Sequence, residues 1–313
     1  MNKNSVTNPY AKEMTFRQSF ERKAIRYFFR INSYIVALIL IVMFLFILNE
    51  GLKILEHIEF SKIFAFENGE WFPTSENVRY SIIPLLTGTL LTSVPAVIIS
   101  TICGVITGIY LSEFAGGRLR EILKPAIEMF TGIPTVVVGF FMLALGSVLF
   151  EDLFSPENRL NAFVAALGLS FIVIPLIASL TEEALSRIPK EIRMGSYALG
   201  ATKWQTLKYV TFPAAIGGIS SGIIIGFCRA IGETMIVLMV SGNAASISAN
   251  LLKSARTMTA TIGAEMGEVS YQSEHYYALF FIGILLFSLS FILNIAAQIL
   301  TKKFSKSELK QIN

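Results

Sequence analysis

The residues of this sequence best suited to chemistry are two charged side chains inside a long apolar run. Arg229 and Glu233 lie within residues 214–240, where most other positions are apolar or small. Placing a charge inside a membrane span costs about 3 kcal/mol, so such residues are usually paired or functional. If the run is one continuous helix, the two side chains lie on one face and can form an ion pair.

Two interpretations of this pair are open. The first is an ion pair that fixes helix packing. The second is an anion site in a translocation path, with Glu233 holding Arg229 in place or modulating its affinity. A guanidinium suits a tetrahedral oxyanion because its planar fork donates two parallel hydrogen bonds. Glu128, near the start of the apolar run 125–150, is interpreted as a packing or loop contact.

A polar interruption at residues 181–213 separates two apolar runs. Apolar residues recur in its first half at roughly helical spacing and are predicted to share one face, with Glu191, Arg193 and Lys203 elsewhere: Leu185, Ile188, Ile192 and Leu199. Gly200 permits a sharp turn, and an apolar stripe then restarts at Trp204, Leu207 and Val210. The pattern predicts a helix-turn-helix on the membrane surface, shaped to dock on a partner or merely to connect two spans.

The remaining candidate residues give weaker signals. Cys103 and Cys228 lie in apolar runs far apart in sequence, which favours buried thiols over a disulfide or a metal site. His57 and His275 have no metal-binding neighbours in sequence, and both are interpreted as polar loop residues. No G-x-x-x-x-G-K-[ST] phosphate loop occurs, so chemistry on ATP must belong to another chain.

The elements that must position these residues are apolar runs of membrane-spanning length. The chain has 313 residues, 53% of them apolar, and a mean hydropathy of +0.62, which excludes an ordinary soluble domain. Irregular backbone is costly in lipid, so each run should be a helix. The sequence therefore predicts an all-α polytopic membrane protein with six transmembrane helices, at residues 31–48, 81–111, 125–150, 161–180, 214–240 and 277–300. Kinks or close packing are expected at Pro84, Pro95, Gly132, Pro134 and Pro175.

The distribution of charge predicts the topology. Residues 1–30 form a basic tail, and no cleavage site follows the first span, so that span is expected to be retained. Placing residues 1–30, residues 301–313 and the second and fourth loops in the cytoplasm puts most of the 26 Lys and Arg residues there. Residues 49–80 then form an acidic extracytoplasmic loop, and residues 81–300 form the core. The basic tail could also contact anionic membrane lipid.

The spacing within residues 181–213 resembles the EAA loop of bacterial ABC importer permeases, whose pattern is EAA-x3-G-x9-I-x-L-P. Gly200, nine intervening residues and residues 210–213 match its end, while Met194-Gly195-Ser196 replaces the EAA triplet. The resemblance implies a type I ABC importer permease fold with a loop that inserts into a cleft of a cytoplasmic ATPase. The positions implied to couple to that ATPase are Ile192, Gly195, Ala198, Gly200, Ala201, Trp204 and Pro213.

Residues 229–234 resemble the RA-x-GET signature of the phosphate-importer permeases PstC and PstA. Three further motifs favour the PstC side, at residues 69–73, 84–90 and 257–268. The resemblance implies a multi-pass subunit of the bacterial inner membrane that pairs with a PstA-like permease. It would sit on a PstB-like ATPase dimer and receive inorganic phosphate from a PstS-like extracytoplasmic binding protein. Arg229 and Glu233 would serve the path, ATP and magnesium would bind only to the ATPase, and no nucleic-acid partner is expected.

The loop of residues 241–276 is expected on the extracytoplasmic side. It contains Arg256, Glu265 and Glu268, which could contact the binding protein or line an outer gate, and an ordinary ordered loop explains them equally well. We expect alternating access, in which closure of the ATPases moves the cytoplasmic loop and opens the path outward.

Alternatives from other classes stay open. A secondary transporter or channel would use Arg229 and Glu233 as a proton or ion relay without an ATPase, but it would not need a glycine-turned amphipathic pair ending at Pro213. Among ABC importers, the PstA role and a permease for molybdate or tungstate are the nearest rivals. A membrane enzyme is disfavoured because no nucleophile motif or His/Cys/Asp cluster lies at a membrane face.

Overall fold

The computed structural model describes residues 16–66, 70–73, 75 and 77–312, with side chains described between residues 25 and 299. Residues 1–15 of the predicted basic tail and Gly69 of the outer-loop motif lie outside the described residues. Contacts divide the chain into two units between Asn49 and Glu50.

The first helix, α1 (Phe16–Leu52), contains the predicted span 31–48 and extends beyond it at both ends. Its side chains from residue 25 to residue 43 are exposed. A helix that is apolar around its whole circumference has no polar face to turn to water, so lipid is its natural surrounding. Because α1 extends to Leu52, the first residues of the predicted loop 49–80 belong to this helix.

The rest of that segment is a small packed unit, which corrects the expectation of a polar loop. It contains α2 (Ile54–His57), α3 (Phe60–Ile63) and the antiparallel strands β1 (Trp71–Phe72) and β2 (Arg79–Tyr80). Trp71 pairs with Tyr80 and is fully buried in a core that contains Ile54, Ile63, Met258 and Tyr277. The acidic residues of this segment suggested a solvated loop, whereas its apolar residues form this core.

Helix α4 (Ile83–Ile109) continues through a π-helical turn at Tyr110–Phe114. Pro84 begins α4 instead of kinking it, because the first turn of a helix needs no backbone donor. Helix α4 packs closely along α8 (Ala162–Ser186). A Cβ on Gly108 would lie 2.6 Å from Cβ of Thr181, so the two backbones approach as only small residues allow.

The predicted third span, residues 125–150, was wrong at its start. The chain forms α5 (Gly117–Thr131), breaks, and resumes as α6 (Thr135–Phe141), a π-helical turn at Met142–Gly146 and α7 (Ser147–Phe154). Pro134 disfavours helical backbone in the residue before it, and Gly132 weakens the helix further. Glu128 lies exposed on α5 and therefore outside the span.

The predicted fifth span, residues 214–240, is also broken. Helix α9 (Lys190–Ala198) precedes the span. The span starts earlier, at α10 (Lys203–Thr206), which continues through a π-helical turn at Leu207–Thr211 directly into α11 (Phe212–Ile231). The chain leaves the helix at Gly232 and forms the short helix α12 (Met235–Val240). Pro213 lies in the first turn of α11 and does not end an element.

Helices α13 (Met258–Glu265) and α14 (Glu274–Ile312) complete the fold. Six helices of the described chain are long and apolar enough to cross a membrane: Ile25–His57, Ile83–Phe114, Thr135–Phe154, Ala162–Ser186, Lys203–Ile231 and Glu274–Ile299. The prediction of an all-α protein with six spans is confirmed.

Candidate functional site

The charged pair singled out in the sequence lies at the break between α11 and α12. Arg229 is in the last turn of α11, whereas Glu233 follows the helix end at Gly232. Glu233 is 8% exposed, and its Oε1 accepts a hydrogen bond of 3.2 Å from the amide of Met235. The predicted ion pair on one continuous face is therefore wrong, because the helix ends before it reaches Glu233.

The side chain of Arg229 is exposed in the isolated chain. Within the described residues it has neither a hydrogen bond nor an ion pair. Its position suits the negative end of the α11 dipole. A guanidinium held at a helix end, without a partner among the described residues, is available to an anion or to another subunit.

Two buried hydroxyl groups connect the helix break to α13 and connect α13 to α4. The hydroxyl of Thr259, on α13, donates to the carbonyl oxygen of Glu233 at 2.8 Å. The hydroxyl of Thr89, on α4, accepts from the amide of Met258 at 3.1 Å. Sequence reasoning did not single out these threonines, although the polar residues of the 257–268 motif were the available signal.

The structure forms a tight turn at Gly200, between α9 and α10. Gly200 has a φ of +82°, which is unfavourable for a residue with a Cβ. Thr202 precedes helix α10 as its N-cap: its hydroxyl accepts from the amide of Gln205, while the Gln205 side chain accepts from the amide of Thr202. This reciprocal cap fixes the start of the helix. The helices and the turn between them are called the α9–α10 segment below.

The apolar residues of this region do not share one face as predicted. Leu185 and Leu207 are buried in a common core with Ile219, because they belong to the ends of spans. Ile192 and Leu199, by contrast, are 41% and 91% exposed. Together with further side chains they form an exposed apolar surface on the α9–α10 segment: Ile192, Met194, Tyr197, Leu199 and Trp204.

The other positions implied to couple to an ATPase are exposed or half-buried. Gly195 and Ala198 are exposed on α9, and a Cβ on Gly195 would meet no atom within 4 Å. Ala201 is half-buried after the turn, and Pro213 is exposed at the start of α11. The segment thus presents small and apolar groups without covering them itself.

Arg193 does not face solvent with the other charges of α9. It forms an ion pair of 3.0 Å with Glu113, in the π-helical turn after α4, and its Nη2 donates to the carbonyl oxygen of Leu185 at 2.7 Å. A second buried charge cluster joins α5 to α8, where fully buried Glu182 pairs with Arg120 and Lys124. Neither cluster was predicted from sequence.

The predicted outer-gate residues separate into two groups. Glu265 binds Arg256 through an ion pair of 2.6 Å, and it also accepts hydrogen bonds from Trp71 Nε1 at 3.0 Å and pairs with His275 Nε2 at 2.8 Å. Glu268 is exposed and takes no part. These four side chains, Trp71, Arg256, Glu265 and His275, are called the Glu265 cluster.

Electrostatics in the Glu265 cluster favour the carboxylate. Burial alone would raise the pKa of Glu265, but the hydrogen bond from His275, the charge of Arg256 and the hydrogen bond from Trp71 lower it below the ordinary value. His275, interpreted from sequence as a polar loop residue, lies in the first turns of α14 and is part of this cluster.

Solved transporters share this arrangement of spans. One chain of the MetNI methionine ABC transporter matches 74% of this chain and 99% of its own length, with a TM-score of 0.59 and 19% identity. A chain of a bacterial importer of the polysaccharide alginate matches 91% of this chain and 98% of its own, with a TM-score of 0.62 and 12% identity. The fold is that of a type I ABC importer permease.

Residues 100–306 match the family described as "Binding-protein-dependent transport system inner membrane component", and the chain belongs to this family. A probable ABC transporter permease of Bacillus subtilis, YqgH, is 32% identical and covers 71% of this chain and 72% of its own length. The phosphate transport permease PstC of Xylella fastidiosa (strain Temecula1) is 28% identical over 78% of this chain and 80% of its own. PstA 1 of Mycobacterium tuberculosis (strain CDC 1551) is 33% identical over 52% of both chains.

The chain is therefore a multi-pass transport subunit of the ABC importer class. Permeases of this class work with a second permease, an ATPase and a binding protein.

Proposed function

We propose that this chain is one of two permease subunits of an ATP-driven importer of inorganic phosphate, in the PstC role. The observation that carries the proposal is Arg229, which is exposed at the end of α11 without a partner among the described residues. The similarity to PstC over most of the chain supports phosphate as the substrate.

Arg229 would meet phosphate in the translocation path between the two permeases. The helix break would fix its position, because the carboxylate of Glu233 accepts a hydrogen bond from the first amide of α12 and Thr259 donates to the carbonyl oxygen of Glu233. Two parallel hydrogen bonds from the guanidinium fit two oxygens of a tetrahedral anion. Glu233, buried beside the path, acts by holding the break in shape, since its carboxylate is already engaged with the backbone.

The α9–α10 segment would dock on a PstB-like ATPase dimer. Its surface has large exposed apolar side chains, among them Leu199 and Trp204, and buried aromatic and aliphatic anchors supply most of the binding energy of such interfaces. Gly195, Ala198 and Ala201 leave room between these anchors, and Gly200 sets the angle of the turn. ATP and magnesium would bind to the ATPase alone.

The remaining assignments follow from this topology. With the α9–α10 segment in the cytoplasm, both termini are cytoplasmic and the Glu265 cluster is extracytoplasmic, as the positive-inside rule expects. A PstA-like permease would complete the path, and a PstS-like protein would deliver phosphate. Arg256 and Glu265 would then belong to the outer end as an ion pair within the Glu265 cluster, which supports a structural role at the gate, while exposed Glu268 would be available to the binding protein.

Transport would proceed by alternating access. ATP-driven closure of the ATPases draws together the α9–α10 segment and its counterpart in the second permease, and the path opens outward. Hydrolysis relaxes the dimer and exposes phosphate to the cytoplasm. Such a cycle requires that the docking segment and the path distinguish the same two conformations.

The experiment is phosphate uptake into proteoliposomes that hold this chain, the second permease, the ATPase and the binding protein. Uptake that requires all four components and ATP, and that falls at least tenfold in Arg229→Lys while the ATPase still assembles, supports the proposal. Full uptake by Arg229→Lys at low phosphate removes Arg229 from the path. Uptake of molybdate or tungstate in place of phosphate transfers the proposal to another oxyanion.

A further inference from the structure

None of the residues of α9 is buried, and polar side chains connect this helix to the membrane-spanning part of the chain. Near its start, Arg193 reaches the π-helical turn after α4. Near its end, the hydroxyl of Ser196 forms a hydrogen bond of 2.9 Å with the hydroxyl of Thr206, at the end of α10. The helix is thus tied at one point to α4 and at another to the helix that continues into α11.

The Arg193–Glu113 contact joins separate elements of the chain. Both side chains are largely buried, at 19% and 10% exposure, and Nη2 of Arg193 also donates to the last turn of α8 through the carbonyl oxygen of Leu185. A surface ion pair contributes little, whereas removing one partner of a buried pair leaves an unpaired charge and carries a large penalty.

Helix α4 connects the Arg193–Glu113 contact to the helix break at Glu233. Its cytoplasmic half lies against α8 with no free space, because a Cβ on Gly108 would crowd Thr181. At its other end the hydroxyl of Thr89 binds the amide of Met258, at the start of α13. Helix α13 then holds the carbonyl oxygen of Glu233 through Thr259.

We propose that the Arg193–Glu113 pair is the positioning contact that transmits displacement of α9 to α4, so that α4 and α11 change conformation together. The inference rests on the proposed docking of the α9–α10 segment on an ATPase. It adds a specific route: α9 acts on α11 through Ser196 and Thr206, and on α4 through Arg193 and Glu113. Loss of the second contact leaves the ATPase bound but uncoupled from the path.

Exposed pairs offer a matched control. Glu183 and Arg187 form an ion pair of 2.7 Å on the same helix, with side chains 52% and 76% exposed. That pair lies next to α9 in sequence and carries the same two charges, but it joins no separate elements. Reversing it tests the effect of altered charge at this end of the protein without breaking the proposed route.

The test uses the complete four-component complex in proteoliposomes, with phosphate uptake and ATP hydrolysis measured in the same vesicles. The variants are Arg193→Glu, Glu113→Arg and the double variant that exchanges the two charges. We expect each single variant to retain the ATPase during purification and to hydrolyse ATP, but to import phosphate about tenfold more slowly, in the usual range of coupling effects. The exchanged pair should recover most of the uptake, and exchange of Glu183 and Arg187 should change it less than about twofold.

Two results would overturn the inference: uptake by both single variants equal to wild type, or an exchanged pair no better than the weaker single variant. If a single reversal prevents assembly, Arg193→Lys and Glu113→Gln replace it, and unchanged uptake per ATP in both again overturns the inference. Wild-type vesicles that import no phosphate would contradict the proposed function instead. In that case stimulation of ATP hydrolysis by the binding protein is the readout, and its loss in the reversals with recovery in the exchange still supports the contact.

Discussion

The Glu265 cluster and the α9–α10 segment differ in how they treat their own side chains. In the Glu265 cluster, a largely buried carboxylate meets three donors from three parts of the chain, and fully buried Trp71 is one of them. In the α9–α10 segment, Leu199 is 91% exposed and no residue of α9 is buried. The first region pairs its charged groups within the described part of this chain, whereas the second leaves its apolar side chains uncovered, as the proposed docking on an ATPase requires. A change in the first should therefore affect folding, and a change in the second should affect assembly.

Removing the central carboxylate should have the largest effect. In Glu265→Ala, Arg256 and His275 lose their partner and Trp71 loses its acceptor. Breaking a buried ion pair from one side costs about 3 kcal/mol, so the thermal unfolding midpoint of the purified chain in detergent should fall by several degrees. Glu268→Ala, at an exposed neighbour, should leave it unchanged. Equal unfolding midpoints for the two variants would show that the Glu265 cluster does not stabilise the isolated chain.

Truncation of an exposed side chain in the α9–α10 segment should weaken binding to the ATPase and leave the stability of the isolated chain unchanged. Trp204 is 63% exposed, so Trp204→Ala should leave the unfolding midpoint of the isolated chain unchanged. Loss of an aromatic anchor from an interface costs about 2 kcal/mol, or roughly thirtyfold in affinity. The measurement is the Kd of the ATPase for the permease pair in nanodiscs. Phe72→Ala, an exposed aromatic on β1, is the control and should not alter that Kd.

The sequence predicted the number of spans and the glycine turn because both depend on local pattern. Six apolar runs are visible without tertiary information, and Gly200 supplies the φ of +82° that its turn requires. The breaks after α5 and α11 were misplaced for a local reason as well. Pro134 was interpreted as a kink inside a span, and Gly232 lay within the predicted span 214–240, although a proline or glycine can equally end a helix.

Contacts between distant residues could not be predicted in the same way. Trp71 and Glu265 are 194 residues apart, and Glu182 meets Arg120 from 62 residues away. Such pairs depend on which helices become neighbours, which a single sequence does not state. Arg193 shows the same limit: periodicity placed it with the exposed charges of its helix, but the end of α4 lies there and supplies Glu113.

Backbone conformation in the α9–α10 segment allows a sharper test of its design. Gly200→Ala places a Cβ on a residue with φ of +82°, which costs about 1–2 kcal/mol. Gly195→Ala adds a methyl group in the open, in the interior of a helix, and should stabilise α9 by up to about 1 kcal/mol. Thermal unfolding of the isolated chain compares the two. A Gly200→Ala variant as stable as wild type would mean that the turn adapts and does not fix the angle between α9 and α10.

Acid should weaken the Glu265 cluster before it affects the apolar surface of the α9–α10 segment. The folded-state pKa of Glu265 lies below the ordinary value of 4.5. Its contribution to stability is therefore complete above pH 4.5, and it is lost as the pH falls through the lower folded-state value. Unfolding midpoints measured from pH 6 to pH 3 should fall more steeply for wild type than for Glu265→Gln, which has no carboxylate to protonate. Parallel curves would mean that other carboxylates control the acid sensitivity, and that the cluster stabilises the fold through its packing and neutral hydrogen bonds.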